Sequence, residues 1–345
     1  MPIFDEKAAN AAEILAEIDL FVANSPHGML MQSPAWAKVK ANWNADYIYL
    51  RDEAGKISAV LSIISIKQAD GTVFMYAPRG PVCDLRDTET VQELLAQAAE
   101  VAQQRGGFLL RIDPEVAYEE NLVNTYRNLG YVVRSREIED PKAFSNPRCN
   151  MVLDLNGKTH ADFLANLNKK VRYRIRRTYT DGLTTNIYGP ESENFVAYLD
   201  QFYALIVEMA ARQGISHRPK AYFEALFAAF PSTRLILTLD PAGEPISAAI
   251  LTCYNRKAFY IYAGTSTRMR ELSPSLQTNN EGIKYAIENG YLEYDMGGVF
   301  STDPANGLYQ FKRQLCGETG LRELIGEIDV VYNQADYDKY ISKQG

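Results

Sequence analysis

One segment of the chain is written twice, and this limits the fold more than any other feature. Ala54-Gly55-Lys56-Ile57-Ser58-Ala59-Val60-Leu61 returns in nearly the same form as Ala242-Gly243-Glu244-Pro245-Ile246-Ser247-Ala248-Ala249-Ile250. Both read as a tight turn entering a strand. Each copy continues through a second turn, at residues 68–71 or at Asn255-Arg256, into an aromatic strand that ends in Tyr76-Ala77 or Tyr262-Ala263. A long helix and a short strand ending in an aspartate, Asp113 or Asp295, follow in both. The order strand, strand, strand, helix, strand therefore occurs twice, which predicts an α/β fold with mixed sheets in two similar domains. Two such units in one polypeptide commonly face each other across a groove, where a substrate would lie.

With 345 residues, of which 46% are hydrophobic and 23% charged, the chain suits two globular domains of ordinary size. No apolar run is long enough to span a bilayer, and the first residues lack the basic and apolar regions of a signal peptide. The expected location is the cytoplasm. Cys83, Cys149, Cys253 and Cys316 have no zinc spacing and read as small buried hydrophobes, so no metal is expected. His27, His160 and His217 form no metalloprotease or triad motif, and no cofactor signature is present. The formal net charge of -7 argues against indiscriminate coating of nucleic acid, so an anionic partner must be met by local basic patches.

Further elements are expected as a helix near residues 34–42, strands near 46–52, 57–67 and 72–77, and a helix from Asp87 or Thr88 to Gly106. Helices are expected near 161–178, 192–212, 220–230 and 274–289. The stretch 308–315 alternates aromatic and cationic residues and reads as a strand, with Phe311 packed and Lys312 projecting into a cleft, or as a lysine-protected edge. The last stretch, 326–343, reads as a strand and a short helix that return to the first domain.

Lys169, Lys170, Arg172, Arg174, Arg176 and Arg177 form the densest charge cluster. Leu164, Leu167, Val171 and Ile175 recur beside them at helical spacing, so the segment reads as an amphipathic helix. Its basic side is either a solvated face or an RNA-phosphate contact through Lys169, Arg172 and Arg176. Lys38 and Lys40 flank Trp36, Arg79 follows the first Tyr-Ala, and Arg218 lies between His217 and Pro219 with Tyr222 one helical turn on. A guanidinium in that rigid setting is suited to clamp phosphate through two oxygens. Asp113 and Asp295 read as bases or as caps of the following turn.

The order and spacing of several short motifs resemble the Fem family of non-ribosomal aminoacyltransferases over nearly the whole chain. They are Trp36-Ala37-Lys38-Val39-Lys40, Tyr76-Ala77-Pro78-Arg79-Gly80-Pro81-Val82, Arg111-Ile112-Asp113-Pro114, His217-Arg218-Pro219, Tyr262-Ala263-Gly264, Tyr294-Asp295-Met296-Gly297-Gly298, Phe311-Lys312 and Ile325-Gly326-Glu327-Ile328-Asp329. The resemblance implies two GNAT-like domains, 1–152 plus 324–345 for precursor binding and 153–323 for the tRNA acceptor end. No heptad stretch long enough for the coiled-coil arm of larger relatives exists, so the chain reads as an armless form; a monomer is expected. Lys40 or Lys38, with Arg218, would hold the diphosphate of UDP-MurNAc-pentapeptide, and Tyr222 and Tyr262 would line the same channel. Arg79 is a further candidate ligand. Asp113 matches a residue proposed as a base. Lys312, beside Phe311, matches a lysine near the tRNA end and the reacting ester.

The implied reaction transfers an amino acid, L-alanine with serine or glycine as alternatives, from aminoacyl-tRNA to the lysine side-chain amine of the pentapeptide. This would begin a peptidoglycan cross-bridge. One rival is a CoA-dependent acyltransferase on the same fold, yet the turns at residues 79–83 and 265–268 lack the spaced glycines that cradle a pyrophosphate. The other is a non-catalytic tRNA-binding protein that uses the basic helix.

Overall fold

In a computed structural model that describes residues 3–343, the chain divides into two compact units, Met1–Cys149 with Glu323–Gly345 and Asn150–Arg322. In chain order the first carries α1 (Ala11–Asn24), α2 (Pro34–Val39), β1 (Asn44–Arg51), β2 (Ile57–Lys67), β3 (Val73–Ala77), α3 (Thr88–Arg105), β4 (Gly107–Ile112), α4 (Glu120–Asn128) and β5 (Val132–Arg134). The chain then runs through β6 (Cys149–Asp154), α5 (His160–Asn166), α6 (Lys169–Thr180), β7 (Thr184–Tyr188), α7 (Phe195–Gln213), α8 (Lys220–Ala229), β8 (Arg234–Leu239), β9 (Pro245–Tyr254) and β10 (Lys257–Thr265). It ends with α9 (Pro274–Glu288), β11 (Glu293–Val299), α10 (Gly307–Cys316), β12 (Leu321–Glu323), β13 (Glu327–Val331) and α11 (Gln334–Ser342).

The written repeat is a structural repeat. One sheet has the order β1-β2-β3-β4-β13-β5 and the other β12-β6-β11-β10-β9-β8-β7. Strands β1 to β3 pair antiparallel in sequence and β3 pairs parallel with β4. In the second sheet β8 to β10 pair antiparallel and β10 pairs parallel with β11. A parallel pair needs a crossover, and α3 and α9 supply it at the same place in each copy. Asp87 caps α3 by accepting from the Thr90 amide at 3.2 Å, and Gly106 closes it in the left-handed region, φ 72°. One face of α3 then buries Val91, Leu94, Ala98 and Val101 against Ile48, Leu61, Met75 and Leu110 of the sheet.

The returning strand β13 lies between β4 and β5, antiparallel to both, with Ile328 opposite Ile112 and Glu327 opposite Arg134. Glu327 and Asp329, two residues apart, share one face of the pleat. Both carboxylates are buried against arginines: Arg111 donates from Nε and Nη2 to Asp329 at 2.7 and 2.8 Å, and Arg134 donates to Glu327 at 2.9 Å. Tyr337 of α11 adds a 3.0 Å bond to Asp329.

Two elements differ from the sequence reading. Residues 308–315 are not a strand but most of α10: Asn306 accepts from the Tyr309 amide at 3.0 Å as its cap, and Tyr309, Lys312, Leu315 and Cys316 form the buried face. A short run that alternates aromatic and cationic residues satisfies both periods, and the capping asparagine decides for the helix. The stretch 161–178 is two helices. Leu167 is extended, and Asn168 starts α6 by accepting from the Lys170 amide at 2.9 Å.

Candidate functional site

In the second unit the central strand β10 runs beside β9 along its length, with a bulge between Tyr260 and Tyr262. On its other side the pairing with β11 joins only Lys257 to Glu293, Ala258 to Tyr294 and Phe259 to Asp295. Beyond these residues the two parallel strands part, and Tyr260 to Ala263 are only half-buried although they lie mid-sheet. The first copy has no such opening, since β3 pairs with β4 from Val73 through Ala77. Backbone groups that lose a ladder partner inside a sheet must be satisfied otherwise, so this opening suits an occupant with polar backbone-like groups.

Lys312 sits at that place. Packing of α10 leaves Lys312 only 7% exposed, and its Nζ donates to the Gly298 carbonyl at 2.7 Å. A Cβ at Gly297, whose φ is +75°, would stand 3.8 Å from this Nζ and 4.0 Å from the Tyr260 carbonyl oxygen. The turn thus takes glycine for its conformation, and a side chain's first carbon there would lie in contact with the ammonium. Burial lowers the Lys312 pKa from its ordinary value to about 8, with Asp295 opposing the shift. Asp295 is buried and accepts from the Gly297 amide at 2.7 Å, which tightens the same turn. An ammonium has three donors. Beyond Gly298, no described residue takes a hydrogen bond from Lys312 Nζ, so the cation can serve an oxygen placed in the opening.

Tyr262, two residues along β10, meets Tyr222 of α8: the Tyr262 hydroxyl donates to the Tyr222 hydroxyl at 3.0 Å and the rings meet edge to face. Burial pushes the Tyr222 phenol well up. Arg218 is exposed just before α8, with its guanidinium carbon 5.3 Å from the centre of the Tyr222 ring. Pro219 begins the helix there, so its ring restricts the chain that carries Arg218. Arg218, Tyr222 and Tyr262 are therefore one cluster. Phe311, next to Lys312 on α10, is half-buried.

On α6, Lys169 and Arg176 are exposed, whereas Arg172 donates to the carbonyls of Leu164 and Ala165 at 3.2 and 3.0 Å. It closes the end of α5, where a cation satisfies orphan carbonyls.

In the first unit, Asp113 is 2% exposed and its carboxylate accepts from the Arg79 amide at 2.6 Å, the Tyr76 hydroxyl at 2.8 Å and the Asn146 side chain at 2.8 Å. The Arg79 side chain is buried too, donating to the carbonyls of Asp113 and Pro147 at 3.4 and 3.3 Å. Arg79 has a positive φ of 57°, an uncommon conformation for a residue with a side chain, and these bonds hold it. Lys40 ends α2 with its ammonium 5.5 Å from the Trp36 ring centre, whereas Lys38 is exposed near half-buried Asp19.

Sequence reasoning passed over Asn146, which completes the Asp113 cluster, and Gln32, whose buried amide bonds Ser62 and Pro78 and so steadies the turn before Arg79. A polar residue inside an otherwise apolar neighbourhood was the available signal, but its partners are 30 to 46 residues away.

Comparison with known proteins identifies the family and the fold. The FemAB family model matches residues 14–240 and 234–342. The chain belongs to the FemAB family. It is 34% identical over 348 residues to the UDP-N-acetylmuramoylpentapeptide-lysine N(6)-alanyltransferase of Weissella viridescens, covering 99% of each chain. A crystal structure of FemX superposes with a TM-score of 0.83 at 22% identity, covering 95% of this chain and 98% of that one. A tandem GNAT protein from the clavulanic acid biosynthesis pathway superposes with a TM-score of 0.54 at 12% identity, covering 94% and 96%. The fold of this FemAB member is thus a tandem GNAT fold, as the resemblance implied and consistent with its repeat. Among the described residues, no helix is long and apolar enough to cross a membrane.

Proposed function

We propose that this protein is an aminoacyltransferase that moves an amino acid, L-alanine foremost, from aminoacyl-tRNA to the lysine side-chain amine of UDP-MurNAc-pentapeptide. The observation that carries this reading is the buried Lys312 ammonium, with donors to spare, where β10 and β11 part. The relationship to the Weissella alanyltransferase supports the choice of acceptor.

The acceptor amine has a reference pKa of about 10.4, so it must lose a proton before its nitrogen attacks the ester carbonyl. Attack forms the C–N bond and places negative charge on the carbonyl oxygen. Lys312 donates to that oxygen, which in a water-poor site is worth about 3 kcal/mol. The C–O bond to the ribose then breaks, the ribose oxygen takes a proton, and an amide remains. A ribose hydroxyl of the RNA serves as the proton relay, since the Asp113 oxygens are already engaged by three donors. Asp113 and Arg79 act as positioning residues for the turn after β3. The ester is already activated, so much of the remaining work is alignment of two large substrates. Arg218 over Tyr222 grips the diphosphate, Tyr262 completes that wall, and Lys40, held against Trp36, is favoured over Lys38 as a further phosphate ligand. Phe311, Lys169 and Arg176 contact the RNA.

The test is to incubate the protein with charged tRNA and UDP-MurNAc-pentapeptide and read the product mass. Gain of one aminoacyl residue on the pentapeptide lysine is expected. Transfer from acetyl-CoA instead, or RNA binding without any product, would replace the proposal with one of its two rivals.

A further inference from the structure

The second unit holds a cavity of about 660 Å3 away from the parted strands, between α5–α6 and the C-terminal half of α10. Its size lies within the range of pockets that take small organic groups, about 300–1,000 Å3. Phe163, Leu167, Val171, Leu315 and Cys316 give it apolar walls. The side-chain amides of Asn166, Asn168, Gln310 and Gln314 also face it. Four cations line it, and two of them are neutralised: Lys158 pairs with Asp154 at 3.1 Å, and Arg313 pairs with Glu318 at 2.9 Å. Lys170 and Arg174, one turn apart on α6, have no carboxylate partner among the described residues. Arg174 is aimed by neutral groups only, donating to Ser273 Oγ and, at 3.4 Å, to Gln314 Oε1. The cavity therefore carries a net positive rim, apolar walls and amides, in a protein whose net charge is -7.

We propose that this cavity binds one unpaired nucleotide of the donor RNA, upstream of the nucleotide that carries the amino acid. This rests on the aminoacyl-RNA donor proposed above. An unpaired base offers a flat apolar face and an edge of donors and acceptors, and its phosphate offers a charge; these are the three chemistries that the walls, the amides and the Lys170–Arg174 pair supply. Gln310, Arg313 and Gln314 of the cavity flank Lys312 on the same helix, whose diameter is about 10 Å. A strand lodged in the cavity can thus pass round α10 to the ester within a few nucleotides. An acidic peptide would use the two cations and, through its main chain, the amides, but its carboxylate side chains would leave the apolar walls without a matching group.

The probes are an RNA hairpin with an unpaired 3′ tail, the same hairpin without the tail, and an acidic peptide. Wild-type protein is expected to prefer the tailed hairpin. In Lys170→Ala/Arg174→Ala the affinity for the tailed hairpin falls about tenfold, and the slope of log affinity against log salt falls by about 0.7, one single-strand phosphate contact. Affinity for the blunt hairpin stays the same. Lys169→Ala/Arg176→Ala, on the exposed flank of α6, weakens both hairpins alike. Gln314→Ala reduces the preference for the tail without changing the salt slope, and Arg174→Lys restores most of that slope. Equal binding of the tailed hairpin by wild type and the Lys170/Arg174 variant, or equal loss on both hairpins, overturns the cavity assignment and leaves the transferase reading standing. Displacement of the tailed hairpin by the peptide at equal concentration overturns the choice of nucleotide. Failure of wild-type protein to bind either hairpin overturns the RNA donor itself. Thermal melts of each variant verify that the fold is intact.

Discussion

The Lys312 ammonium reaches the Gly298 carbonyl across 2.7 Å, which ties α10 to the end of β11 just after β11 has left β10. The bond fixes the cation beside the parted strands and keeps it out of water. A lysine in such a position is costly to the fold, because burial disfavours its charged form. Its retention there suits a role in stabilising an oxyanion.

Removing that cation separates chemistry from stability. Lys312→Ala is expected to lower kcat by at least about 100-fold, from the loss of roughly 3 kcal/mol in the transition state, with little change in KM for either substrate. Lys312→Met is expected to lose activity equally while melting at the same temperature or higher, since an apolar chain of similar length replaces a buried charge. Steady-state kinetics and thermal melts measure the two effects.

The depressed pKa of Lys312 gives a signed pH dependence. Its folded value, about 8, lies below its ordinary 10.5, so between those two values the unfolded chain binds more protons and stability rises with pH. The advantage of Lys312→Met over wild type in denaturant midpoint should therefore be largest below pH 8 and shrink toward pH 10.5. Activity should lose its cation as pH climbs through about 8, whereas the weaker activity of Lys312→Arg should lack that descending limb.

Arg218 tests the diphosphate grip. Arg218→Ala is expected to raise KM for UDP-MurNAc-pentapeptide about tenfold, close to 1.4 kcal/mol, with kcat little changed. Tyr222→Phe, which removes the hydroxyl partner of Tyr262, should produce a smaller change in the same direction. An unchanged KM in Arg218→Ala would remove this residue from the binding site.

Asp113 separates a positioning role from a base. Asp113→Asn keeps one carbonyl acceptor but disturbs the set of Arg79, Tyr76 and Asn146, so a stability loss of about 1–3 kcal/mol is expected. The acidic limb of the pH–rate profile should keep its midpoint. Its disappearance in the variant would restore Asp113 as the base.

The buried pair of Arg111 and Asp329 holds the returning strand. Arg111→Met leaves the Asp329 carboxylate without its cation while Glu327 keeps Arg134, and a loss of about 3–5 kcal/mol is expected. Arg111→Met/Asp329→Leu should recover part of it, because both buried charges are then gone. Urea midpoints of the two variants check the sign.

Much of the architecture was legible in the chain because it depends on local signals. Asp87 and Gly106 mark α3 by capping and by left-handed backbone, and the repeated turn at Gly55 and Gly243 gives both meanders at once. The misread stretch 308–315 shows the limit of such signals. Eight residues can satisfy two periods, and the choice lay with Asn306 and with the packing that buries Tyr309 and Leu315. The candidate site was legible as residue types in familiar order, but the division of labour was not: Arg79 and Arg172 resemble Arg218 on the page, yet both are taken up by backbone carbonyls.

The order of amino acids settled the duplication, the position of nearly every strand, and the return of the segment from Glu323 onward to the first unit, because turns, caps and alternation act over a few neighbours. Packing alone settled that β10 and β11 part in one copy while β3 and β4 stay joined in the other. Packing also lowered the Lys312 pKa and left Lys170 and Arg174 without carboxylate partners among the described residues. Those outcomes depend on how far a group lies from water and from groups distant in sequence, and no local run of residues encodes either distance.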